Sequence, residues 1–591
     1  MIKSYKRISY TNFKNNNKGT MRVKVTLFAG GMLLGIASLV VNAALAADGI
    51  FSTLTYNIAG LPQILSSADG DRATATTLIS CYVKNFDVVN VQEDFNYHAA
   101  LYDSCDDHPF RSPTSGGAGI GSGLNSLSRF PYMDWSRVKW DACNGVDCLT
   151  PKGFTLARTR LAEGVYVDIY NLHAQAQTAA ADLRVRRRNV LQLLDYIESN
   201  SAGNAVIVMG DTNTRYTRDG DNIREFLRHG FTDVWIGRLR NGVVPAAGME
   251  ALTCDPTVSS ADCEVVDKIL VRDNGFVGLQ AVDYHIGTDA RDSYGVELSD
   301  HYPVVVNWRY ATAGDRRLSD QIGGPHGRAF SDVSLLPFNP VVRELKIRTG
   351  KRVDRVETVL ANGYAFAHGG AGGDEQTLTL ATGEYLSSIQ LCSGKRNGST
   401  RVFFVRFHTS EGRGLMGGTA TSDCVTYGAP DGWQIVAFHG RSADELDKLG
   451  VVYAPVTPIE PPIAMPVRIV NRGSGQCLDI DHAITADGID VIPWSCHGGA
   501  NQRWSYDETS GLIRSMQDPH YCLDHSGSYA DGADIRIRTC SGSGNQRFRF
   551  EPATGKIALR SYPAQVIDIS DGDVVTRSYR GDGAQSWRMV P

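Results

Sequence analysis

The sequence predicts a multidomain protein in which an α/β region is followed by two all-β regions. At 591 residues the chain is too long to fold around one hydrophobic core. Short apolar runs alternate with helical patterns as far as Tyr310, which is typical of an α/β fold. Beyond Tyr310, glycine pairs separate short alternating strands, and beyond residue 456 the sequence repeats itself. We call these parts the α/β region (48–310), the middle region (314–456) and the C-terminal region (465–591).

The amino terminus has the pattern of a targeting segment. Basic residues up to Lys24 precede the apolar run Val25 to Val41, and Ala44-Leu45-Ala46 fits a cleavage site. We therefore predict a signal peptide over residues 1–46 and a secreted, extracellular protein. A membrane anchor is the alternative, although the apolar run is short for a bilayer span. Met21 is an alternative start.

The twelve cysteines of an exported chain indicate disulfide bonds. None lies in a Cys-x-x-Cys pair, which argues against zinc sites and redox motifs. Their order allows local pairing in every region, as Cys81 with Cys105, Cys143 with Cys148, Cys254 with Cys263, Cys392 with Cys424, Cys477 with Cys496, and Cys522 with Cys540.

The stretch Ala205 to Asn213 organises the α/β region. Its apolar run predicts a strand buried on both faces, which stops at Gly210 and is followed by Asp211 and Asn213. Side chains two positions apart in an extended chain point the same way. Polar groups at the end of a buried strand often form sites in α/β proteins. An ordinary Asx turn is the alternative interpretation.

The same pattern recurs at other predicted strand ends. Eight polar residues share this position: Asn57, Glu93, His173, Asp211, Asn213, Asp267, Asp300 and His301. Carboxylate and amide oxygens suit Mg²⁺ or another hard divalent cation, which would polarise a phosphoryl oxygen. A histidine can act as general base or acid near neutral pH. The set therefore predicts hydrolysis of a phosphodiester.

The α/β region resembles the endonuclease/exonuclease/phosphatase superfamily of pancreatic-type deoxyribonuclease and neutral sphingomyelinases. The matching motifs, in the family's order, are Tyr56-Asn57, Gln92-Glu93, Leu172-His173, Gly210-Asp211-Thr212-Asn213, Asp267-Lys268-Ile269 and Ser299-Asp300-His301-Tyr302-Pro303. The resemblance implies a four-layer α/β sandwich, in which two mixed sheets pack face to face between helices.

The resemblance also implies a metal site. Glu93 would bind the catalytic metal with Asn57 beside it, and Asp300 would support that site or a second metal. The expected ion is Mg²⁺, with Mn²⁺ or Ca²⁺ as alternatives.

The remaining polar residues receive catalytic roles from the same resemblance. Asp211 would orient or deprotonate the attacking water, and Asn213 would hold a phosphoryl oxygen. His301, paired to Asp267, would act as base or transition-state contact. His173 would assist the leaving group.

Within the superfamily, several motifs look more like the bacterial-type sphingomyelinases. Lys152-Gly153-Phe154 is the most telling, because the resemblance places Lys152 near the substrate phosphate. Those enzymes carry an exposed aromatic hairpin for membrane insertion shortly before their Asp-His motif. Here Gln280 to Leu298 offers only Tyr284 and Tyr294 among several charges, so this segment does not predict insertion.

The middle region reads as all-β and resembles a jacalin-type lectin, which implies a β-prism. The motifs are Gly323-Gly324, Ile347-Arg348-Thr349-Gly350, Asp354, His368 to Gly373, Gly383-Glu384-Tyr385 and Phe438 to Ser442. The family's sugar loop has a Gly-x-x-x-Asp. Here Asp447 matches the aspartate as the carbohydrate-binding candidate, but Ala443 replaces the glycine. A purely structural role is the alternative.

We predict a linker over residues 457–464, because proline-rich segments adopt an extended, stiff conformation. The repeats that follow it have a period near 43 residues and close on Gln-x-Trp or a variant of it. They resemble a ricin-B-type β-trefoil lectin. A sugar site needs a carboxylate to accept hydroxyl hydrogen bonds and an aromatic face for stacking, and the first repeat has both, in Asp479, Trp494, Asn501 and Gln502.

The second repeat keeps Asp524, but Arg538 stands where the aromatic would be. Trp504 and Trp587 are expected in the hydrophobic core, so we expect sugar binding chiefly in the first repeat.

Together these features predict a metal-dependent phosphodiesterase, sphingomyelinase-like in substrate, that two lectin modules direct to glycosylated surfaces. The net charge of −5 and the pI of about 6.3 give no basis for broad nucleic-acid binding. An extracellular nuclease, whose metal supplies the positive charge, is the alternative enzyme. A lectin or adhesin with an inactive first region is the alternative outside enzymes. No protein partner is predicted.

Overall fold

The structure is a computed structural model that describes residues 47–115, 121–254, 259–274, 276–336, 339–361, 363–456, 466–508, 510–527, 530–552 and 554–590. The predicted signal peptide, 1–46, and the predicted linker, 457–464, lie outside the described residues. Within these ranges, none of the helices has the length and apolar character needed to cross a membrane.

The α/β region contains two sheets and five α-helices in the part that is described. The strands are β1 (Asp48–Asn57), β2 (Val88–Gln92), β3 (Phe110–Arg111), β4 (Asn125–Ser128), β5 (Tyr132–Lys139), β6 (Gly153–Ala162), β7 (Val165–His173), β8 (Ala205–Asp211), β9 (Thr232–Asp233), β10 (Asp267–Arg272), β11 (Val277–Ile286) and β12 (Val304–Thr312). The helices are α1 (Arg72–Val83), α2 (His98–Asp103), α3 (Ala180–Asn200), α4 (Arg224–Arg228) and α5 (Val234–Leu239).

The two sheets are mixed and lie against each other. One has the strand order β11-β12-β1-β2-β4-β3 and the other β5-β6-β7-β8-β10-β9. Each contains one parallel pair, β1 with β2 and β7 with β8, among antiparallel neighbours. Buried amides join the sheets, since Gln92 Nε2 donates to Asn171 Oδ1 at 2.7 Å and Asn90 Nδ2 donates to the Tyr170 carbonyl at 3.2 Å.

Helices cover the outer faces of this sandwich. Ile79 and Val83 of α1 pack with Leu54 and Val89 of the first sheet in one buried cluster. Helix α3 lies on the second sheet, where Tyr196 contacts the ring of Phe154 edge-on at 5.1 Å. The predicted α/β four-layer sandwich is therefore confirmed.

The middle region is all-β, as predicted. Its strands are β13 (Arg317–Leu318), β14 (Ile322–Gly323), β15 (Arg328–Ser331), β16 (Val342–Thr349), β17 (Val353–Leu360), β18 (Ala365–Gly369), β19 (Asp374–Thr379), β20 (Leu386–Arg396), β21 (Ser399–Thr409), β22 (Gly414–Gly418), β23 (Asp423–Gly428), β24 (Trp433–Ser442) and β25 (Leu446–Pro455). In the described chain, β16 to β19 form a four-stranded sheet and the other strands form a nine-stranded one.

The C-terminal region consists of twelve short strands within its described residues. They are β26 (Arg468–Asn471), β27 (Cys477–Ile480), β28 (Ile489–Trp494), β29 (Trp504–Tyr506), β30 (Ile513–Ser515), β31 (Tyr521–His525), β32 (Ala533–Thr539), β33 (Phe548–Glu551), β34 (Lys556–Leu559), β35 (Gln565–Ser570), β36 (Asp573–Ser578) and β37 (Trp587–Val590). Trp504, Phe548 and Trp587, one from each repeat, meet in a single buried core. The expectation that Trp504 and Trp587 are core residues is confirmed.

The six predicted disulfides are all present: Cys81–Cys105, Cys143–Cys148, Cys254–Cys263, Cys392–Cys424, Cys477–Cys496 and Cys522–Cys540. Each closes a loop within one region, so covalent cross-links stabilise the three regions separately.

Candidate active site

Strand register brings polar residues of the second sheet together at one edge. His173, the last residue of β7, lies beside Asp211, the last residue of the parallel strand β8. Strand β10 runs antiparallel to β8, so its first residue, Asp267, lies on the other side of Asp211. Three side chains that are far apart in sequence thus become neighbours.

Gly210 allows this close packing. Its φ is +150°, and a Cβ atom at this position would lie 2.2 Å from the Leu172 carbonyl oxygen. Only glycine lets β7 and β8 approach so closely just before His173 and Asp211. The close approach of β7 and β8 therefore explains why the apolar run in the sequence ends with glycine at position 210.

Asn57 joins the two sheets at the site. It ends β1, and its Nδ2 donates to Glu93 Oε1 and to Asp211 Oδ2, both at 3.2 Å. Its Oδ1 accepts from the Ala59 N–H at 3.1 Å. Burial raises the pKa of Glu93. A partly buried carboxylate, Glu93, and a fully buried one, Asp211, therefore face each other across one neutral amide.

His301 and Asp267 form a short pair beside Asp211. His301 Nδ1 lies 2.7 Å from Asp267 Oδ2, and His301 Nε2 lies 4.0 Å from Asp211 Oδ2. Burial opposes the charged imidazolium, but Asp267 and Asp211 outweigh it and raise the pKa of His301 to about 10. Burial raises the pKa of Asp267 above its usual value.

His173 is the second imidazole of the site and is fully buried. Its Nε2 lies 3.3 Å from Asp211 Oδ2, and its backbone carbonyl accepts a hydrogen bond of 2.7 Å from the Trp140 indole. Burial, together with the Lys152 ammonium, lowers the pKa of His173 to about 3. The ring is therefore neutral at physiological pH.

Asp211 is the centre of the cluster. Burial opposes its ionisation, but the neighbouring imidazoles and Lys152 bring the pKa of Asp211 below its usual value. The Asn213 N–H donates to Asp211 Oδ1 at 2.9 Å. Glu93 and Asn213 both have positive φ, +58° and +54°, and this backbone conformation is strained for Glu93.

Two predicted site residues are held by other partners. Asp300 Oδ2 accepts a hydrogen bond from the Ser67 hydroxyl, and Asp300 follows Ser299, whose hydroxyl donates to the Asn57 carbonyl at 2.6 Å. Lys152 Nζ forms an ion pair of 2.8 Å with Asp147. Both residues border the cluster.

The donor set fits a divalent cation. The ligand atoms of Asp211, Asp267 and His301 lie within 4.8 Å of one another, the single group of this kind found in the described chain. Glu93 adds a third carboxylate, partly buried, which Asn57 links to Asp211. Converging carboxylates in a desolvated site are stabilised by a hard cation, so the residues present suit Mg²⁺ and similar ions.

The carboxylate of Asp479 is the centre of the candidate sugar site in the first repeat. The Asp479 carboxylate accepts hydrogen bonds from Asn501 Nδ2 and Gln502 Nε2, both at 2.6 Å. His497 Nε2 lies 3.2 Å from the same carboxylate. Trp494 presents a half-exposed ring, 55% accessible. A fixed carboxylate beside an open aromatic face suits a sugar ring.

The carboxylates of the other two predicted sugar residues are less accessible to a ligand. Asp524 is buried, and Arg538 Nε lies 3.8 Å from its carboxylate. Asp447 is buried in β25, and Arg401 forms an ion pair of 2.7 Å with its Oδ1. Gly327 lies against its other oxygen, where a Cβ would approach to 2.3 Å. The carboxylate of Asp447 is therefore enclosed.

Sequence reasoning missed two residues that support the site. The Trp140 indole N–H donates to the backbone carbonyl of His173 and so holds the end of β7 in place. Arg72, buried in the first turn of α1, donates to backbone carbonyls next to Asn57 and near Asp300. Neither carries a sequence signal, because each contact joins segments that are distant in the chain.

Comparison with protein families assigns each region separately. Residues 72–251 match the model of Endonuclease/Exonuclease/phosphatase family 2, residues 319–452 match the Jacalin-like lectin domain, and residues 465–587 match the Ricin-type beta-trefoil lectin domain. The three family resemblances are confirmed.

Similar proteins include the curated "Sphingomyelinase" of Mycobacterium bovis and that of Mycobacterium tuberculosis. Both are 40% identical over 274 residues, which is 44% of this chain and 53% of the relative. The chain thus spans about half the length of these relatives. Among solved structures, sphingomyelinase C from Streptomyces griseocarneus is 19% identical with a TM-score of 0.32, covering 44% of this chain and 99% of that one.

Proposed function

We propose that this protein is a secreted, metal-dependent phosphodiesterase that hydrolyses sphingomyelin-type phospholipids, with two lectin regions that attach it to glycosylated surfaces. The observation that carries the proposal is the cluster in which Asn57 bridges Glu93 and Asp211 beside the His301–Asp267 pair. The name of the mycobacterial relatives supports the substrate class. The family matches of the middle and C-terminal regions support the lectin role.

Glu93, with Asn57 beside it, would hold the cation, and Asp300 would border that site. A bound Mg²⁺, Mn²⁺ or Ca²⁺ would polarise the phosphoryl group and offset charge that develops on it. The guanidinium of Arg72 does not supply this charge, because it is turned towards backbone carbonyls.

The protonation state of each side chain determines its role in the remaining chemistry. Asp211, ionised at neutral pH, accepts a hydrogen bond from the attacking water and orients it. His301, whose pKa is about 10, presents a charged N–H to a phosphoryl oxygen while Asp267 fixes its ring. Neutral His173 lies on the opposite side of Asp211 and assists the leaving group. Asn213 and Lys152 border the phosphate position.

Substrate class is tested by a direct comparison. The purified protein is incubated with Mg²⁺ and either sphingomyelin vesicles or duplex DNA, and phosphocholine release and DNA fragmentation are measured. We expect phosphocholine release that EDTA abolishes. DNA degradation without phosphocholine release would favour the nuclease alternative.

The site assignment is tested by substitution. Asp211→Ala and His301→Ala should each lower kcat at least about a hundredfold, because each removes a group that contacts the reacting phosphate. Asp195→Ala, at an exposed position of α3, is the matched control. Hydrolysis that persists in both site variants would refute the assignment, and absence of all hydrolysis in the wild type would favour the adhesin alternative.

The lectin role is tested on the C-terminal region of the full-length protein. Asp479→Asn and Trp494→Ala should abolish glycan-array binding that depends on the first repeat. Asp524→Asn is the matched change in the second repeat and should have the smaller effect, because Arg538 occupies the place of the aromatic. Equal loss in all variants, or none, would contradict this assignment.

A further inference from the structure

The candidate sugar site of the first repeat contains an imidazole beside its carboxylate. His497 Nε2 lies 3.2 Å from Asp479 Oδ2, and the His497 side chain is 47% exposed. Asp479 is the group that would accept hydrogen bonds from sugar hydroxyls. Histidine is the side chain that ordinarily changes its charge between about pH 5 and 8. A change of charge on His497 therefore acts directly on the acceptor of the site.

The hydrogen bonds of His497 show which ring nitrogen carries the proton. The Gly499 N–H donates to His497 Nδ1 at 3.2 Å. A ring nitrogen that accepts a hydrogen bond has no proton of its own, so the proton of the neutral ring is on Nε2, which donates to Asp479. The neutral ring thus satisfies both of these contacts.

Asp479 keeps an acceptor site for a sugar while the ring is neutral. A carboxylate has about four lone-pair sites. Asn501 Nδ2 donates to Oδ1, and Gln502 Nε2 and His497 Nε2 donate to Oδ2. These three donors leave a site on Oδ1 for a sugar hydroxyl, and the exposed ring of Trp494 supplies a stacking face.

Protonation of His497 changes both of its contacts. The new proton on Nδ1 points at the Gly499 N–H, so that hydrogen bond is lost and two donors oppose each other. The contact with Asp479 becomes charge-assisted on both sides and therefore stronger. Because the imidazolium then neutralises the carboxylate, a sugar hydroxyl gains less by donating to it. The turn also lies against Asn501, since a Cβ at Gly499 would be 2.6 Å from Asn501 Oδ1.

The other two repeats show which side chains stand at the position of His497. In each repeat the glutamine of the closing motif accepts, through its Oε1, the backbone N–H of the residue five positions earlier. The pairs are His497 with Gln502 at 2.8 Å, Ser541 with Gln546 at 2.7 Å, and Arg580 with Gln585 at 2.5 Å. The three repeats therefore place an imidazole, a hydroxyl and a guanidinium at one structural position.

The third repeat shows the effect of a permanent cation at this position. Arg580 Nη2 forms an ion pair of 2.8 Å with Asp568 Oδ2, and Gln585 Nε2 donates to the same oxygen at 2.9 Å. Asp568 is thus the counterpart of Asp479, which accepts from the corresponding glutamine. A second ion pair, of 2.9 Å with Asp582, holds Arg580 in place. A cation from its own turn therefore occupies the carboxylate of the third repeat.

The charged groups near His497 favour its pairing with Asp479. Asp479 lies on β27, and Asp481, just beyond that strand, is paired with His482 at 2.8 Å. Arg503 Nε donates to a backbone carbonyl of the turn at 3.2 Å, but this residue is exposed, so water weakens the effect of its charge. The carboxylate of Asp479 therefore determines how the ring responds to a proton.

We propose that His497 makes glycan binding by the first repeat dependent on pH. While the ring is neutral, the Asp479 carboxylate accepts a sugar hydroxyl. When the ring is charged, His497 holds Asp479 as Arg580 holds Asp568. This rests on the proposed function, because it requires that the first repeat binds glycans. The first repeat then attaches to glycosylated surfaces at neutral pH and releases them in acid.

The test measures binding of the full-length protein to an array of neutral glycans between about pH 8 and 5. Neutral glycans carry no group that titrates in this range, and the signal of the first repeat is the part that Trp494→Ala removes. We expect this signal to weaken about tenfold or more towards pH 5, because the sugar loses a hydrogen bond to a charged acceptor. Binding should recover when the pH is raised again, which distinguishes a switch from acid unfolding.

The other repeats supply the substitutions. His497→Ser, which introduces the residue of the second repeat, should bind equally across the pH range. His497→Arg, which introduces the residue of the third repeat, should bind weakly at every pH. His482→Asn is the matched control, because His482 is a 78% exposed histidine paired with Asp481 and asparagine tolerates its φ of +52°. It should keep the wild-type pH profile.

The outcomes separate this proposal from the lectin role. A wild-type pH profile in His497→Ser, or strong binding at neutral pH by His497→Arg, would overturn the switch. Binding that depends on Trp494 but not on pH refutes the switch and leaves the lectin role of the first repeat standing. No binding that depends on Trp494 at any pH refutes the lectin role of the first repeat, and the switch with it.

Discussion

At the scale of single residues, Arg72 shows how one buried side chain can hold the site together. Its Nε donates to the Ala59 carbonyl at 3.1 Å, and its Nη2 donates to the carbonyls of Ile58 and Leu298, both at 2.8 Å. The first two follow Asn57 and the third precedes Asp300. The guanidinium therefore fixes the spacing of two segments that carry candidate metal-site residues.

We expect Arg72→Met to raise the Mg²⁺ concentration needed for half-maximal activity about tenfold. The variant removes the guanidinium donors of three backbone carbonyls, which costs about 3 kcal/mol of unfolding free energy. Magnesium titrations of activity and denaturant unfolding measure the two effects. Arg72→Lys keeps the charge but cannot reach three carbonyls in a fork, so it should recover only part of the metal affinity. An unchanged magnesium titration would show that Arg72 acts on stability alone.

The sequence predicts the central residues of the site because strand ends are visible as patterns. Asp211, His173 and Asp267 each border an apolar run, and strand pairing brings them side by side. The partners of Lys152 and Asp300 could not be predicted in this way. Ion pairs and hydrogen bonds such as Lys152–Asp147 and Asp300–Ser67 depend on loop paths that no local pattern defines.

At the scale of secondary structure, the pairing of β7 with β8 depends on Gly210. In Gly210→Ala the new Cβ would collide with the Leu172 carbonyl at 2.2 Å, so the two strands must separate. We expect a loss of about 3 kcal/mol or more in unfolding free energy and loss of hydrolysis. Urea unfolding and the phosphodiesterase assay measure both.

Gly237→Ala is the matched control for that prediction. Gly237 lies in α5, where an added Cβ would meet only the Thr232 methyl group at 3.6 Å. Because alanine is the better helix former, this change should be neutral or slightly stabilising. If both alanine variants were equally stable, the close approach of β7 and β8 would not be the reason for Gly210.

Strand β24 of the middle region contains a buried histidine that makes stability depend on pH. His439 Nε2 lies 3.1 Å from the Ser319 carbonyl, and its Nδ1 lies 2.7 Å from Gln321 Nε2. The neutral ring satisfies both contacts, donating to the carbonyl and accepting from the amide. Burial, with Arg158 nearby, lowers the pKa of His439 to about 3.

Because the folded pKa of His439 lies below its unfolded value of about 6.5, the unfolded chain binds the proton first. The contribution of the neutral His439 ring to the free energy of unfolding is therefore complete above pH 6.5. It is lost as the pH falls from there towards 3, by about 1.4 kcal/mol per pH unit. Urea unfolding between pH 6.5 and 3 should show a smaller fall of the unfolding free energy per pH unit in His439→Gln than in the wild type. An identical slope in the variant would assign the acid sensitivity to other groups.

At the scale of the whole molecule, polar contacts join the three regions. Thr232 of the α/β region donates to Glu551 Oε2 of the C-terminal region at 3.1 Å. Asp320 of the middle region accepts from Arg160 at 2.8 Å and from the Tyr166 hydroxyl at 2.5 Å. Such contacts link residues up to 324 positions apart, as between Lys556 and Thr232, which is why the sequence predicts three folds but not their arrangement.

Asp320 is the test of how firmly the α/β and middle regions are coupled. Its carboxylate also accepts from the Gly164 N–H at 3.2 Å, so one side chain receives donors from three residues of the neighbouring region. Because Asp320 and Arg160 are each about one-third exposed, Asp320→Ala should cost only about 1–2 kcal/mol. Because the lost hydrogen bonds lie between the α/β and middle regions, calorimetry should resolve the unfolding of these two regions into separate transitions. Asp431→Ala, an exposed change in the middle region, should leave the wild-type profile. A single unshifted transition in Asp320→Ala would mean that other contacts, such as Lys448 with Asp134, suffice to couple them.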